Sequence, residues 1–167
     1  MRRKDKEIRD RELISQIIHK CQVCRLGLAK EDVPYIVPVS FGYDGQAIYF
    51  HTAKEGKKID YFAANDRVCF EFEHGVRPVP DESSPCQWTI SYQSVIGYGR
   101  VHELLTAAEK AAGLKQIVAQ YSGQAWAFND RDLDRVRVWK MTIETMSGKQ
   151  SKDKTDDGAR YSREAQR

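Results

Sequence analysis

The sequence predicts a mainly β (α+β) protein in which six antiparallel strands close into a small barrel flanked by helices. Three observations predict this class. Six segments carry apolar residues with strand-like patterning, polar or glycine-containing turns separate them, and closure of such a sheet removes its exposed edges. The 167 residues suit one domain, which we place at 1–147, followed by a disordered polar tail at 148–167.

The first third of the chain reads as a helix and three strands. The helix is predicted because apolar residues recur at helical spacing; these are Leu13, Ile14, Ile17 and Ile18. Strands follow at 21–29, 34–41 and 47–52, and the Asp44-Gly45 turn predicts that residues 33–52 form a β-hairpin. Pro38 has no N–H to donate, so it needs an edge strand or a bulge.

The remaining elements alternate between helix and strand. A capping box at Thr106 and Glu109 marks the start of one helix, and Gly97 and Gly99 are expected to bend a long strand. In chain order we predict a helix at 54–64, a strand at 67–74, a loop at 75–86, a strand at 87–104, the capped helix, and a last strand at 136–145.

Charge and composition exclude some functions. The 27 basic and 24 acidic residues leave a net charge of +3, with both signs mixed along the chain. Nucleic-acid-binding proteins usually segregate their basic residues, so a nucleic-acid-binding barrel is a disfavoured alternative. There is no run of about 18 apolar residues and therefore no predicted membrane span. Because the charged N-terminus lacks a secretory signal, we expect a cytoplasmic protein.

Four cysteines are present, and two of them form a Cys-x-x-Cys pair at Cys21 and Cys24. A zinc site of this type usually has a second close pair, whereas Cys69 and Cys86 are far apart in sequence. Buried, reduced thiols are therefore the prediction, with no metal site, and a metal or redox use of the pair is the less favoured alternative.

The densest group of functional residue types lies at a predicted strand-to-helix junction that begins at His51. The first turn of a helix has free N–H groups and a partial positive charge, so it attracts anions. Here lysines add full charge, a threonine adds a hydroxyl and a glycine allows close backbone approach. In chain order these are Thr52, Lys54, Gly56, Lys57 and Lys58. The junction predicts a site for a phosphate monoester, with an exposed lysine-rich turn as the alternative.

Four short segments carry a resemblance to a known family. They are PYIVPVSF at 34–41, YFHTA at 49–53, GKKID at 56–60 and YQSVIGYGR at 92–100. In order and spacing they resemble the FMN-binding pyridoxamine 5′-phosphate oxidase-like family, most closely its nitroimidazole-resistance (Nim-type) branch, over about residues 10–145. The resemblance implies an FMN-binding split barrel over 1–147 that forms a homodimer with two FMN molecules between its subunits.

The resemblance also implies which residues contact FMN. A strand backbone would lie along the flavin ring, the end of the next strand would line the site, and two lysines would meet the phosphate. Two further residues would come from the opposite subunit, and two would close the pocket over the ring. In that order they are Val37, Pro38, Val39 and Ser40; His51 and Thr52; Lys57 and Lys58; Ser94 and Val95; Trp139 and Met141.

His51 is the predicted catalytic residue, because a histidine near the flavin can hydrogen-bond a nitro or anionic substrate or donate a proton. The implied activity is that of an FMN-dependent oxidoreductase passing electrons from NAD(P)H to a small acceptor such as a nitroaromatic. No Gly-x-Gly-x-x-Gly motif is present, so NAD(P)H would bind transiently. The oxidase's arginine-rich C-terminal signature is absent, which argues against pyridoxamine 5′-phosphate as substrate. The alternative is a non-enzymatic flavin- or haem-binding or sensing module.

Overall fold

A single antiparallel sheet organises the computed structural model, which describes residues 3–151. The strands are β1 (Glu7–Ile8), β2 (Cys24–Lys30), β3 (Val33–Val39), β4 (Gly42–Tyr43), β5 (Ala47–Thr52), β6 (Arg67–Val79), β7 (Thr89–Leu104) and β8 (Arg137–Gln150). The helices are α1 (Arg11–Lys20), α2 (Lys57–Ala64), α3 (Ala107–Tyr121) and α4 (Asp130–Arg135), with 3-10 turns at Lys4–Lys6 and Pro85–Gln87. The strand order is β3-β2-β6-β7-β8-β5-β4, and β1 pairs with β8.

The mainly β class with flanking helices is confirmed, although the described sheet has eight strands and not six. The six predicted strands correspond to the six long ones. The two additional strands, β1 and β4, have two residues each. Two residues are too few for an alternating pattern to show, so neither strand could be predicted from the sequence.

The predicted hairpin over 33–52 is wrong. β3 pairs with β2, and β5 pairs with β8 and β4. The tight turn that determines the β3 pairing is at Glu31 and Asp32, whose φ angles of 50° and 62° are both left-handed. Two left-handed residues match the twist of a two-residue hairpin. The Asp44-Gly45 turn joins only β4 and β5.

The two strands at the ends of the sheet are close together in sequence. Only Ser40 and Phe41 separate β3 from β4. Three Cα–Cα steps span at most about 11 Å, so the sheet must curl until its two edges approach each other. This is the geometry of an open barrel with a seam. β3 pairs on one side only, which confirms the edge position that Pro38 requires.

The main core fills the inside of the curled sheet. Four phenylalanines that are fully buried form its centre; they are Phe41, Phe50, Phe70 and Phe72. Helix α1 covers this core with Ile14, Ile17 and Ile18, as its helical spacing predicts. A second, smaller cluster lies under α3 on the opposite face of the sheet, where Leu114 and Ile117 contact Leu104 and Val138.

The domain extends past the predicted boundary at residue 147. Strand β8 continues to Gln150 because Gly148 pairs with Val95 on one side and with Ile8 on the other, and Ser151 is buried. The remainder of the predicted tail, from 152 to 167, lies outside the described residues. Between residues 3 and 151 no helix combines the length and the apolar character needed to cross a membrane.

Candidate functional site

The junction between β5 and α2 leaves a helix N-terminus open. Gly56 is the N-cap residue of α2, and no side chain caps the helix there. Its φ of 138° is rarely adopted by other residues, and a Cβ at this position would meet nothing within 4 Å. The N-terminus of α2 therefore has no side-chain cap, and N–H groups at an uncapped helix start are suited to an anion.

The two lysines in the first turn of α2 have different surroundings. The Lys57 ammonium lies 4.7 Å from the centre of the Tyr35 ring and 5.7 Å from that of Tyr61. Lys58 is half-buried, and its charge acts on His51. Lys57 thus joins α2 to β3 through the Tyr35 ring, whereas Lys58 is the lysine of this turn whose charge acts on His51.

His51 is on the opposite face of β5 from the main core. Its side chain is exposed, and it pairs in register with Val138 of β8. Partial desolvation of the ring lowers the pKa of His51, and the positive charge of Lys58 lowers it further. Since an ordinary histidine pKa is near 6.5, His51 is mainly neutral at pH 7. It can then donate one N–H without carrying a charge.

Thr52 and Trp139 are joined by a hydrogen bond inside the protein. The indole Nε1 of Trp139 donates to Thr52 Oγ1 at 3.1 Å, and the same hydroxyl donates to the Ala53 carbonyl at 2.7 Å. Trp139 is only 6% exposed, and its ring centre is 4.9 Å from that of Phe62. In one chain Trp139 is therefore packed in the core and fixes the end of β5, and its closure of a cofactor pocket stays a prediction.

Met141 and Val95 are also core residues, since both side chains are fully buried. Met141 lies opposite Ile48 in the β5–β8 ladder, and Val95 is on a strand paired on both sides. A ligand outside the sheet therefore cannot reach either side chain. Ser94 differs from its neighbour, because alternation along β7 turns it to the outer face with Ile96 and Tyr98, which are both exposed.

The β3 segment offers its backbone and two outward side chains. Val39 is buried and Val37 packs against the main core, whereas Pro38 and Ser40 are exposed. Because β3 is an edge strand, its second row of backbone groups has no strand partner among the described residues. A planar ligand could lie along this edge, as predicted from the sequence.

The structure thus brings together part of the predicted set. Lys57 joins the start of α2 to β3, and the charge of Lys58 acts on His51. Among residues 3–151 of one chain, Ser94 makes no hydrogen bond with either group. An ion pair between Arg137 and Glu103 was not predicted; the Arg137 guanidinium also lies 4.9 Å from the Trp139 ring. No local signal reveals this pair, because it joins neighbouring strands that are 34 residues apart in sequence.

The cysteines do not form a site. Cys21 follows the end of α1, and its thiol donates to the carbonyl of Ile17 at 3.2 Å. Burial raises the pKa of Cys21 to about 11 and raises that of Cys24 as well, so both thiols stay protonated. The prediction of burial is confirmed for these two, but Cys69 is half-buried and Cys86 is exposed.

Comparison with solved structures gives close matches to the whole fold. A protein from Bacteroides thetaiotaomicron provisionally assigned to 5-nitroimidazole antibiotic resistance is 30% identical, with a TM-score of 0.77 over 86% of this chain and 85% of that one. A flavocytochrome from Azotobacter vinelandii has a TM-score of 0.78 at 18% identity, over 95% and 77% of the two chains. At that identity the likeness shows the fold alone.

Sequence comparison agrees with the fold. An uncharacterized protein from Rhizobium meliloti (strain 1021) is 28% identical over 97 residues, which is 58% of this chain and 56% of the relative. This chain thus spans little more than half of that relative's length. The profile of the family described as pyridoxamine 5′-phosphate oxidase matches residues 10–150. The chain therefore belongs to the pyridoxamine 5′-phosphate oxidase family.

Proposed function

We propose that this protein is an FMN-dependent oxidoreductase that passes electrons from transiently bound NAD(P)H to a small acceptor such as a nitroaromatic. The observation that carries the proposal is the uncapped N-terminus of α2, whose first turn holds Lys57 and Lys58 and directly follows the strand that ends at His51 and Thr52. The 30% identity to a protein assigned to nitroimidazole resistance supports the acceptor class. Four free cysteines suit a reducing compartment and support a cytoplasmic location.

The residues of the junction fit a flavin mononucleotide. The N–H groups at the start of α2 and the ammonium of Lys58 would hold the phosphate. The free edge of β3 at Pro38 and Ser40 would lie along the ring system. Bound FMN would supply the redox chemistry, while the protein orients it and limits its contact with water.

His51 would act by hydrogen bonding and not by donating a proton, because its lowered pKa keeps it neutral at pH 7. We expect His51→Ala to reduce turnover of a nitroaromatic by about 10- to 100-fold while leaving the FMN dissociation constant within about threefold. His51→Gln keeps an N–H donor but cannot titrate, so it should retain turnover within about fivefold of the wild type. Steady-state kinetics with titrated FMN checks both variants. Equal losses in the two would instead indicate proton donation.

We propose further that the protein is a homodimer formed through the outer face of the sheet. Strand register aligns Ile36, Gly27, Cys69 and Tyr98 in one row across β3, β2, β6 and β7. Ile36 is 70% exposed, and Ile96 and Tyr98 are each 47% exposed. A second copy covering this apolar row would also cover Ser94, which would give that residue access to the partner's cofactor.

A charge placed in this row should separate the subunits. Tyr98→Glu is expected to shift the mass measured by light scattering from two chains to one, because an unpaired carboxylate would be buried at the interface. Leu105→Glu is the matched control, since Leu105 is 74% exposed and belongs to no such row. A wild-type protein that is monomeric at about 100 µM, far above the dissociation constant of a stable dimer, would contradict the homodimer.

An absorbance spectrum of the purified protein, recorded before and after adding FMN and then NADPH, tests the main proposal. Flavin bands that shift on binding and bleach with NADPH support the oxidoreductase. Flavin bands that never bleach would contradict electron transfer from NADPH and favour a storage or sensing module. A haem band would favour the haem-binding alternative, and a colourless protein that ignores FMN would overturn the cofactor assignment.

A further inference from the structure

A cleft of about 280 Å³ lies between α3 and the sheet, on the face opposite the main core. The strands contribute Tyr49, His102, Leu104 and Lys140, and α3 contributes Glu109 and Gln116. None of the predicted flavin residues lines it. The cleft therefore needs an explanation of its own.

Strand register places three of the lining side chains in one row. His102 of β7 is opposite Lys140 of β8, and Lys140 is opposite Tyr49 of β5. Residues directly opposite each other in an antiparallel ladder point to the same face. The row therefore presents an imidazole, an ammonium and a phenol side by side beneath α3.

The helix is held close to the sheet on one side of this row. A Cβ at Gly113 would lie 2.8 Å from Val138 Cγ1 and 2.9 Å from Leu104 Cδ1, so only glycine allows this approach. The cleft is thus a fixed gap between two packed elements, and its shape does not depend on a loop.

Opposite charges line the cleft without pairing with each other. Among residues 3–151, no carboxylate lies within 4.0 Å of the Lys140 ammonium, which lies 5.8 Å from the centre of the Tyr49 ring. Glu109 accepts hydrogen bonds from Leu105 and Thr106, all on its Oε2 atom, which leaves Oε1 available.

The nearby Asp44 carries a negative charge that acts on Lys140, but no ion pair within 4.0 Å joins the two among residues 3–151, and the Asp44 oxygens accept other hydrogen bonds. Its Oδ1 accepts from the backbone N–H groups of Gln46 and Ala47, and its Oδ2 accepts from the Tyr49 hydroxyl at 2.8 Å. Among residues 3–151, Lys140 thus has no ion pair within 4.0 Å and Glu109 Oε1 accepts no hydrogen bond, and both side chains line the same space.

We propose that the cleft binds a small zwitterion of the amino-acid class, with its carboxylate on Lys140 and its ammonium on Glu109. At about 280 Å³ the cleft lies at the lower end of the range for small-molecule sites, roughly 300–1,000 Å³, which suits a ligand the size of a free amino acid. Leu104 and the Tyr49 ring form an apolar wall, so the preferred ligand has an uncharged, apolar side chain. Gln116 and His102 supply further hydrogen-bonding groups at the rim.

Titration of the ¹⁵N-labelled full-length protein with L-phenylalanine, followed by amide NMR shifts, tests the proposal. We expect saturable shifts confined to α3 and the facing strands, with a dissociation constant on the order of 1 mM. The same titration uses 3-phenylpropionate, which lacks the ammonium, and phenethylamine, which lacks the carboxylate. Each should bind at least about tenfold more weakly, because one charge-assisted contact is lost.

Variants locate the site. Lys140→Gln and Glu109→Gln should each weaken L-phenylalanine binding about tenfold or more, and glutamine preserves the capping box at position 109. Lys115→Gln, an exposed lysine of α3 outside the cleft, is the control and should bind as the wild type does. The proposal is overturned by an absence of saturable shifts up to about 50 times the expected dissociation constant, or by shifts elsewhere on the protein. Equal binding of 3-phenylpropionate would overturn it too.

Discussion

Lys58→Gln is expected to weaken FMN binding by about 10- to 100-fold, whereas Lys57→Gln should weaken it by less than about threefold. The two residues are adjacent and identical, so the difference rests on their surroundings alone. The Lys57 ammonium lies beside the paired rings of Tyr35 and Tyr61, at 4.7 Å and 5.7 Å from their centres, and this contact holds it on the side of β3. Lys58 stands on the side of His51, where the phosphate is proposed to bind.

Fluorescence titration of apoprotein with FMN measures this difference, and each variant is the other's control. A second measurement does not depend on FMN. The charge of Lys58 lowers the pKa of His51, so Lys58→Gln should move the NMR titration midpoint of His51 upward, toward its ordinary value, and Lys57→Gln should not. Equal loss of FMN affinity in both variants would contradict the assignment of Lys58 to the phosphate.

Gly42→Ala is expected to reduce the free energy of unfolding by about 3 kcal/mol or more. A Cβ at Gly42 would lie 2.3 Å from the carbonyl carbon of Gln116 and 2.5 Å from the backbone nitrogen of Ile117. Both atoms belong to the backbone in the middle of α3, so a change of side-chain rotamer cannot relieve the clash. The whole helix would have to shift, and Leu114 and Ile117 would then pack less well on the second cluster.

Urea unfolding followed by circular dichroism measures this loss. Gly123→Ala is the matched control, because Gly123 has no atom within 4 Å of a new Cβ and no left-handed φ. It should change the free energy of unfolding by less than about 0.5 kcal/mol. A Gly42→Ala protein with the wild-type midpoint would show that α3 adjusts freely, which would contradict the close contact seen between β4 and α3.

The elements with strong local signals could be predicted from the sequence. The capping box at Thr106 and Glu109 is present at the start of α3, with Thr106 Oγ1 accepting from the Glu109 N–H at 3.2 Å. The spacing of Ile14, Ile17 and Ile18 predicted a helix, and the structure has α1 at that place. In both cases the determining interactions join residues within a few positions of each other, so they can be read directly from the chain.

The pairing of β3 was predicted wrongly because two turn signals competed. Asp44-Gly45 is the stronger local signal for a tight hairpin, but it joins only β4 and β5. The left-handed pair Glu31 and Asp32 turns the chain first. After β3, Ser40 and Phe41 carry the chain from one edge of the sheet to the other, where β4 begins. No local sequence pattern encodes that step.

The sequence by itself determined the class of fold, the order of its long strands and helices, and the position of the strand-to-helix junction from His51 to Lys58, where we propose that an anion binds. Only the tertiary structure decided which side of each strand is available to a ligand. It places Trp139, Met141 and Val95 inside the core and turns Ser94 outward. It also gives the two adjacent lysines different surroundings, with Lys57 against aromatic rings and the charge of Lys58 acting on His51. Alternation along a strand is local, but which face becomes the inside depends on how the sheet curls, and that depends on all its long-range pairings.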